Sequence, residues 1–313
     1  MSLALRFLGT SAARPTVERN VTAIAVVREG ETFLFDCGEG TQRQMMRYGV
    51  GFGAHDIFFT HFHTDHLLGL VGLTRTLALQ GRTDPLRLFG PPGAQRALKA
   101  ALGFGGDRLT FPVEVAELAP GEAVTRAEYR IEAVRVDHGG AAAVGWALVE
   151  KPRLGRFDPD RARTLGIPEG PLWGRIHKGE AVTLDDGRVV TPAELVGPPR
   201  RGRTIVISGD TRPTEALAAA AHDADLLVHE ATFGDDEAPR ALETGHSTAR
   251  EAARLAARAG VHRLVLTHFS ARYSRDPSEL VAQAREVFAR TEAARDGMEL
   301  TVPYERDEGP VAG

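Results

Sequence analysis

Over the first sixty positions apolar residues come in short runs. Ala4–Leu8, Ala23–Arg28, Thr32–Asp36 and Asp56–Thr60 are rich in β-branched or aromatic side chains and bounded by Gly, Pro or Asn, a pattern that predicts strands. Helical spacing marks Glu39–Tyr48 and Leu67–Leu79. A strand at Leu86–Phe89 and a helix at Gly93–Leu102 follow, then strands at Val113–Leu118, Arg130–Asp137 and Ala143–Val149. From Lys151 to Gly202 apolar periodicity fades, except around Asp158–Leu165, while proline and glycine accumulate. That is the composition of an excursion from a core, not of a core element. Three strand–loop–helix units then bring the core back: Thr204–Ser208 with Glu215–Ala221, Asp225–His229 with a loop and Thr248–Ala259, and Arg263–Thr267 with Ser278–Arg290. No repeat at solenoid periods is visible, and the polar tail after Pro303 reads as loose. The pattern predicts an α/β chain, one domain over residues 1–313 with an insertion at 151–203.

Composition narrows the function classes. The 313 residues are 42% hydrophobic and 26% charged, ordinary for a soluble globular protein with a substantial core. No apolar run reaches the eighteen or so residues that cross a bilayer, and Met1–Gly9 reads as a first strand rather than a signal, so no membrane association is expected. The single cysteine, Cys37, excludes an intrachain disulfide and thiolate-rich zinc modules; it fits a reducing cytoplasm. Any metal must be held by imidazoles and carboxylates. The net charge of −4 argues against a global attraction for nucleic acid, but it is uneven: residues 151–203 carry eleven basic groups against seven acids. A basic segment on an acidic body can contact a polyanion, or can be an ordinary solvated surface of mixed charge.

Chemistry-bearing residues follow strand after strand. His61 succeeds the run Asp56–Thr60, His138 follows Arg130–Asp137, Asp210 follows Thr204–Ser208, His229 and Glu230 close Asp225–Val228, and His268 follows Arg263–Thr267. In α/β architectures functional groups collect where strands hand over to loops. The stretch His61-x-His63-x-Asp65-His66 holds three imidazoles and a carboxylate in six positions, and such groups are costly to bury without a metal or hydrogen bonds. The bland reading, Thr64 or Asp65 capping a helix among exposed histidines, needs one such residue rather than four.

His61-x-His63-x-Asp65-His66, with His138, Asp210 and His268 in order behind it, resembles the metal signature of the metallo-β-lactamase superfamily. That resemblance implies an α/β (α+β) four-layer αββα sandwich and two Zn2+ per subunit. His61, His63 and His138 would hold one zinc, Asp65, His66 and His268 the other, and Asp210 would bridge them; Mn2+ or Fe2+ would also suit such an N/O site. No organic cofactor is implied. Further stretches resemble one branch of it, the ribonuclease Z family: Ser11–Asn20, Phe35–Gln44, His229-Glu-Ala-Thr232, His246-Ser-Thr248 and Leu266–Tyr273. The family is one of homodimeric endoribonucleases that trim the 3′ end of precursor tRNA, and a cytoplasmic location goes with it.

Phosphodiester hydrolysis gives these residues work. Two zincs can hold a nucleophilic hydroxide and neutralise a phosphate oxygen. The leaving 3′-oxygen needs a proton, for which His246 oriented by Glu230 is the candidate pair. Asp65 would both bind metal and orient the attacking water, Arg272 or Ser270 would contact phosphate, and His229 would have a supporting role. Leu165–Gly179 resembles the family's exosite arm, with its tip at roughly 153–179. Arg153, Arg156, Arg175 and Lys178 would meet the tRNA backbone around Gly170 and Pro171, reading shape rather than sequence. A small-molecule hydrolase of the same fold and a metal-stabilised RNA-binding scaffold are the rival readings.

Overall fold

Alternation along the strands decides the layering. In the computed structural model, which describes residues 2–104 and 109–304, Leu3, Leu5 and Phe7 face one side of their strand, as do Ile24 with Val26 and Phe33 with Phe35. Leu8, Ala23, Ala25 and Leu34 face the other. These strands belong to a seven-stranded sheet whose order is Glu299–Thr301, Leu3–Gly9, Ala23–Arg28, Glu31–Phe35, Asp56–Phe58, Leu86–Gly90 and Val113–Glu117. A second seven-stranded sheet runs Thr291–Ala293, Leu264–Thr267, Leu226–Glu230, Thr204–Ile207, Val144–Glu150, Tyr129–Arg135 and Ala123–Thr125. Its inner residues, among them Trp146, Leu148, Ile205, Ile207 and Val228, share one buried cluster with the inner residues of the first sheet. Phe58 stacks on Phe89 (4.8 Å between centroids) and meets Trp146 edge-on (5.2 Å) across the two sheets, an arrangement favoured by the ring quadrupoles.

Each outer sheet face is covered by helices. Thr41–Arg47, Gly69–Leu79 and Ala94–Gly103 pack on the first sheet, and Glu215–Ala220, Ala249–Ala259 and Ser278–Arg285 on the second. The result is the expected four-layer αββα sandwich. Ala249–Ala259 starts with a capping box: the Thr248 hydroxyl accepts from the Glu251 N–H while Glu251 accepts from the Thr248 N–H. The strands Thr204–Ile207, Leu226–Glu230 and Leu264–Thr267 are parallel neighbours, so the loops that follow all three leave from one edge. Among the described residues no helix is long and apolar enough to cross a membrane.

Several elements depart from the pattern-based expectation. The strand from Asp56 stops at Phe58, which leaves Phe59–His63 as loop, and the helix expected over Leu67–Leu79 is a turn, Thr64–Leu67, followed by Gly69–Leu79. The strand expected to reach Asp137 ends at Arg135, and the helix expected to reach Arg290 ends at Arg285. Ala238–Thr244, read as loop, is helical. The three-residue strands Ala123–Thr125, Thr291–Ala293 and Glu299–Thr301 are too short to show alternation in the sequence. The tail expected to be loose lies, from residue 305 onward, outside the described residues.

The chain divides into two compact units, one made by the chain before Glu150 and after Gly202, the other by Glu150–Gly202. The second unit is more than an excursion. It has its own small core of Ala162, Ile167, Ile176, Val182, Val190 and Leu195, a hairpin pairing Val182 with Val190, and helices at Pro159–Thr164, Pro171–His177 and Pro192–Leu195. Its prolines mislead a sequence reading because each of these helices carries one in its first turn, where proline fits. The overlooked helix Ala238–Thr244 begins the same way.

One close approach positions the next level of structure. The Cys37 N–H donates to His66 O and the Gly69 N–H to Cys37 O, both at 2.8 Å, stitching the loop after Phe35 to the turn that carries Asp65 and His66. A Cβ on Gly69 would lie 1.9 Å from Gly38 O, and one on Gly38 would lie 2.3 Å from Asp65 O. Gly69→Ala is therefore expected to lower stability by roughly 1–3 kcal/mol through backbone displacement. Gly51→Ala, with nothing within 4 Å of the added methyl, is expected to be near neutral. Urea unfolding of both variants checks the contrast, and equal midpoints would contradict it.

Candidate metal centre

Loops from both sheets converge on one point. His61, His63, Asp65 and His66 come from the loop and turn after Asp56–Phe58, His138 from beyond Tyr129–Arg135, Asp210 from beyond Thr204–Ile207, and His268 from the end of Leu264–Thr267. Among the described residues five donor triplets form there: His61, His63 and His138; His61, His66 and Asp210; Asp65, His66 and His268; His138, Asp210 and His246; and Glu230, His246 and His268. Thr64 and Asp65 lie inside the turn Thr64–Leu67, and the helix Gly69–Leu79 has Leu68 as its N-cap with no side-chain cap, so the reading of Thr64 or Asp65 as a helix cap does not hold.

The rings are pinned from behind. His66 Nδ1–H donates to Asp36 Oδ2 (2.8 Å) and His138 Nδ1–H to Gly245 O (3.0 Å). The Thr60 hydroxyl gives its proton to Asp36 (2.8 Å), so it accepts from His61 Nδ1–H at 3.0 Å. The Thr232 hydroxyl gives its proton to Glu230 (2.7 Å) and accepts from His268 Nδ1–H at 3.0 Å. With the outer nitrogens protonated, four Nε2 lone pairs point inward, the tautomer that a metal requires. His61 Nε2 lies 3.0 Å and His138 Nε2 3.2 Å from His63 Nδ1, while His66 and His268 face each other Nε2 to Nε2 at 3.3 Å. Lone pairs converging at such distances repel unless positive charge lies between them.

Two carboxylates complete the cluster. Asp210 Oδ2 is 3.6 Å from His61 and 3.3 Å from His66, and its Oδ1 is 3.3 Å from His268, so the group reaches both halves. Asp65 Oδ2 accepts from the Ala13 N–H (2.8 Å) and lies 3.4 Å from His268 and 3.5 Å from His66. Burial alone would push both acids up. With a proton on Nε2 of His66 and His268 the imidazolium charge outweighs it and holds Asp210 and Asp65 well below the usual carboxylate range, and a metal cation in place of that proton would act in the same sense. Buried carboxylates that stay ionised beside inward lone pairs are the donor set of a cation site. These residues form a candidate metal-binding site, and they fit it.

Next to the cluster stands the pair singled out in the sequence. His246 Nδ1 lies 2.8 Å from Glu230 Oε1, and Glu230 is also held by the N–H groups of Thr211 (3.0 Å) and Thr232 (3.1 Å). Burial disfavours charge on His246, but the Glu230 charge and hydrogen bond prevail and its pKa is pushed up to about 9. His229 is fully buried on its strand and donates Nδ1–H to Glu230 O (2.7 Å), outside the metal cluster. Cys37 is buried too, its thiol pushed up to about 12 chiefly by burial, and takes no part.

A cavity of about 330 Å³ opens on this constellation, with Ser270 among its lining residues. Arg272 does not line it; its guanidinium is 2.7 Å from Glu237. Arg153, Arg156, Arg175, Lys178, Gly170 and Pro171 all lie in the second unit, where Arg175 pairs with Glu180 at 2.8 Å and Lys178 is exposed. Sequence reasoning missed Asp36, Thr60 and Thr232, which orient the rings, and Arg14, Phe233 and Arg240, which line the cavity. Asp36 had a signal, an acid at the end of a strand in the same register as those that were found.

Comparison with known proteins returns two family models: "Anti-Pycsar protein Apyc1" over residues 3–151 and "Beta-lactamase superfamily domain" over residues 173–269. Ribonuclease Z of Gemmatimonas aurantiaca is 64% identical over 301 residues, 96% of each chain. Ribonuclease Z of Myxococcus xanthus is 56% identical, covering 96% of this chain and 98% of that one. Among solved structures, the short form of human tRNase Z is 28% identical with a TM-score of 0.70, covering 96% of this chain and 99% of its own.

Loss of a ring-orienting partner is expected to show in metal binding. Asp36→Asn should weaken divalent-metal retention by roughly 10–100-fold. Chelator competition followed by elemental analysis measures it, and wild-type retention would remove Asp36 from this role.

Proposed function

This chain belongs to the ribonuclease Z family of hydrolytic endoribonucleases, and from that membership we propose that it removes the 3′ trailer from precursor tRNA, leaving a 3′-hydroxyl on the tRNA and a 5′-phosphate on the trailer. The observation that carries the reading is the His246–Glu230 pair standing directly against the His/Asp cluster. A metal site that only stabilised a fold would need no adjacent acid.

In this reading His61, His63 and His138 would hold one divalent ion, Asp65, His66 and His268 a second, and Asp210, which reaches both groups, would serve both. Zinc suits that donor set, and Mn2+ or Fe2+ suit it as well. Such ions lower the pKa of water toward neutrality and neutralise phosphoryl charge. The chain's own residues supply the rest. Asp65, fixed by Ala13, accepts a hydrogen bond from the attacking water and aims it at phosphorus. His246, protonated at neutral pH, gives its proton to the departing 3′-oxygen. Glu230 cannot swing away, because Thr211 and Thr232 hold both its oxygens. The second unit, with Arg153, Arg156, Arg175 and Lys178, grips the tRNA away from the cut, in a homodimer where one subunit's arm serves the other's site.

His246→Ala is expected to lower kcat by about 100-fold or more while metal content and tRNA affinity persist. Unchanged cleavage would remove His246 from the mechanism. The pH dependence has a definite sign. A donor acid loses activity as pH rises through its pKa, and Glu230 raises that pKa, so in Glu230→Gln the alkaline limb of kcat should move to lower pH. A limb that stays in place would show that His246 is not the group titrating. Replacing residues 153–178 with a short linker separates the RNA reading from a small-substrate one. Cleavage of precursor tRNA should be lost and hydrolysis of bis(p-nitrophenyl) phosphate retained, whereas parallel loss of both would count against the arm.

A further inference from the structure

Cutting within a chain requires a grip on the phosphates at either side of the bond cut, and the cavity walls offer two cations that the reaction so far leaves unused. Arg14 and Arg240 both line the cavity, on different segments. The backbone at Arg14 is fixed, since the Ser11 hydroxyl donates to Arg14 O at 2.8 Å, yet its exposed guanidinium has no hydrogen bond or ion pair among the described residues. Arg240 lies on the helix Ala238–Thr244, with its guanidinium carbon 5.6 Å from the centre of the Phe233 ring. A cation–π contact of that kind positions the planar group without neutralising it. Its nearest acid, Glu237, is 3.9 Å away and is already engaged by Arg272 at 2.7 Å. Arg272 is thus quenched while Arg240, 58% exposed, is left to face the substrate.

The two arginines stand at opposite ends of the chemistry. Arg14 follows Ala13, whose N–H holds Asp65, the residue on the side of the attacking water. Arg240 belongs to the helix that leads into His246, and its partner Phe233 meets the His246 ring edge-on with centroids 6.1 Å apart. His246 marks the side of the leaving 3′-oxygen. We propose that Arg14 and Arg240 form a phosphate clamp around the scissile bond, Arg240 taking the next phosphate on the tRNA (5′) side and Arg14 the next on the trailer (3′) side. The proposal rests on the trailer-removal reading for this polarity. The guanidinium fork suits a phosphate at each position.

A cycle of protein and substrate changes tests it. Precursors carrying one uncharged methylphosphonate linkage, on the 5′ or the 3′ side of the cut, are cleaved by wild type, Arg14→Ala and Arg240→Ala. Each substitution is expected to cost about tenfold in kcat/KM on the unmodified precursor. Arg240→Ala should add nothing further when the 5′-side linkage is already neutral, and Arg14→Ala nothing further when the 3′-side one is. Additive losses at both positions would overturn the clamp, and pairing the other way round would overturn the polarity. Arg258→Ala, on an exposed helix position paired with Glu215, serves as the neutral control. A wild-type protein that leaves precursor uncut would defeat the trailer reading alone. The clamp would then be decided by binding a short single-stranded RNA: each Arg removed should reduce the slope of log K against log salt by about 0.7, and an unchanged slope overturns it.

Discussion

Imidazole rings can be brought nose to nose only if each hands the proton of its other nitrogen to something that does not move. That requirement organises the centre of this protein. Asp36, Thr60, Thr232 and Gly245 O take those protons, and each of the four comes from a different segment of the chain. Two sheets packed face to face, with Phe58 against Trp146 between them, keep the segments in register. Without that rigid frame the rings would turn outward to water.

Backbone strain concentrates at the same place. Ala13, Asp36 and His268 all have left-handed φ values, of 60°, 58° and 59°. Such conformations cost of order 1–3 kcal/mol each and persist only where the surroundings over-determine them. Here they aim an N–H at Asp65, a carboxylate at His66 and a ring at Asp210. Thr232 then ties the cluster to the His246–Glu230 pair, since one hydroxyl meets both Glu230 and His268. The His246–Glu230 pair and the candidate metal cluster are held as one piece.

Much of this was legible in the sequence because the chemistry is carried by rare residues at strand ends. His61, His63, Asp65, His66, His138, Asp210 and His268 converge as their order suggested, and Glu230 and His246 join them. Hydrogen-bonding partners such as Thr60 and Thr232 were not legible, because threonine is common and only a three-dimensional contact gives it meaning. The ion pair of Arg272 was hidden for a related reason: nothing in its local sequence reveals that Glu237 will engage it. Proline hid the helices of the second unit, whose apolar residues close a core only across turns. A pattern carries what neighbouring residues decide together; contacts between distant segments leave little trace in it.

The donors are also spread along the chain, from His61 to His268, and the last arrives on the strand Leu264–Thr267, which pairs between Leu226–Glu230 and Thr291–Ala293. A polypeptide grown from its N-terminus therefore holds half a site for most of its synthesis. The triplet of Asp65, His66 and His268 cannot close until the strand Leu264–Thr267, next to the edge of the second sheet, is added. Closing of the donor cluster is therefore tied to one of the last strands of the fold, so a chain that stops short of His268 has no complete cluster.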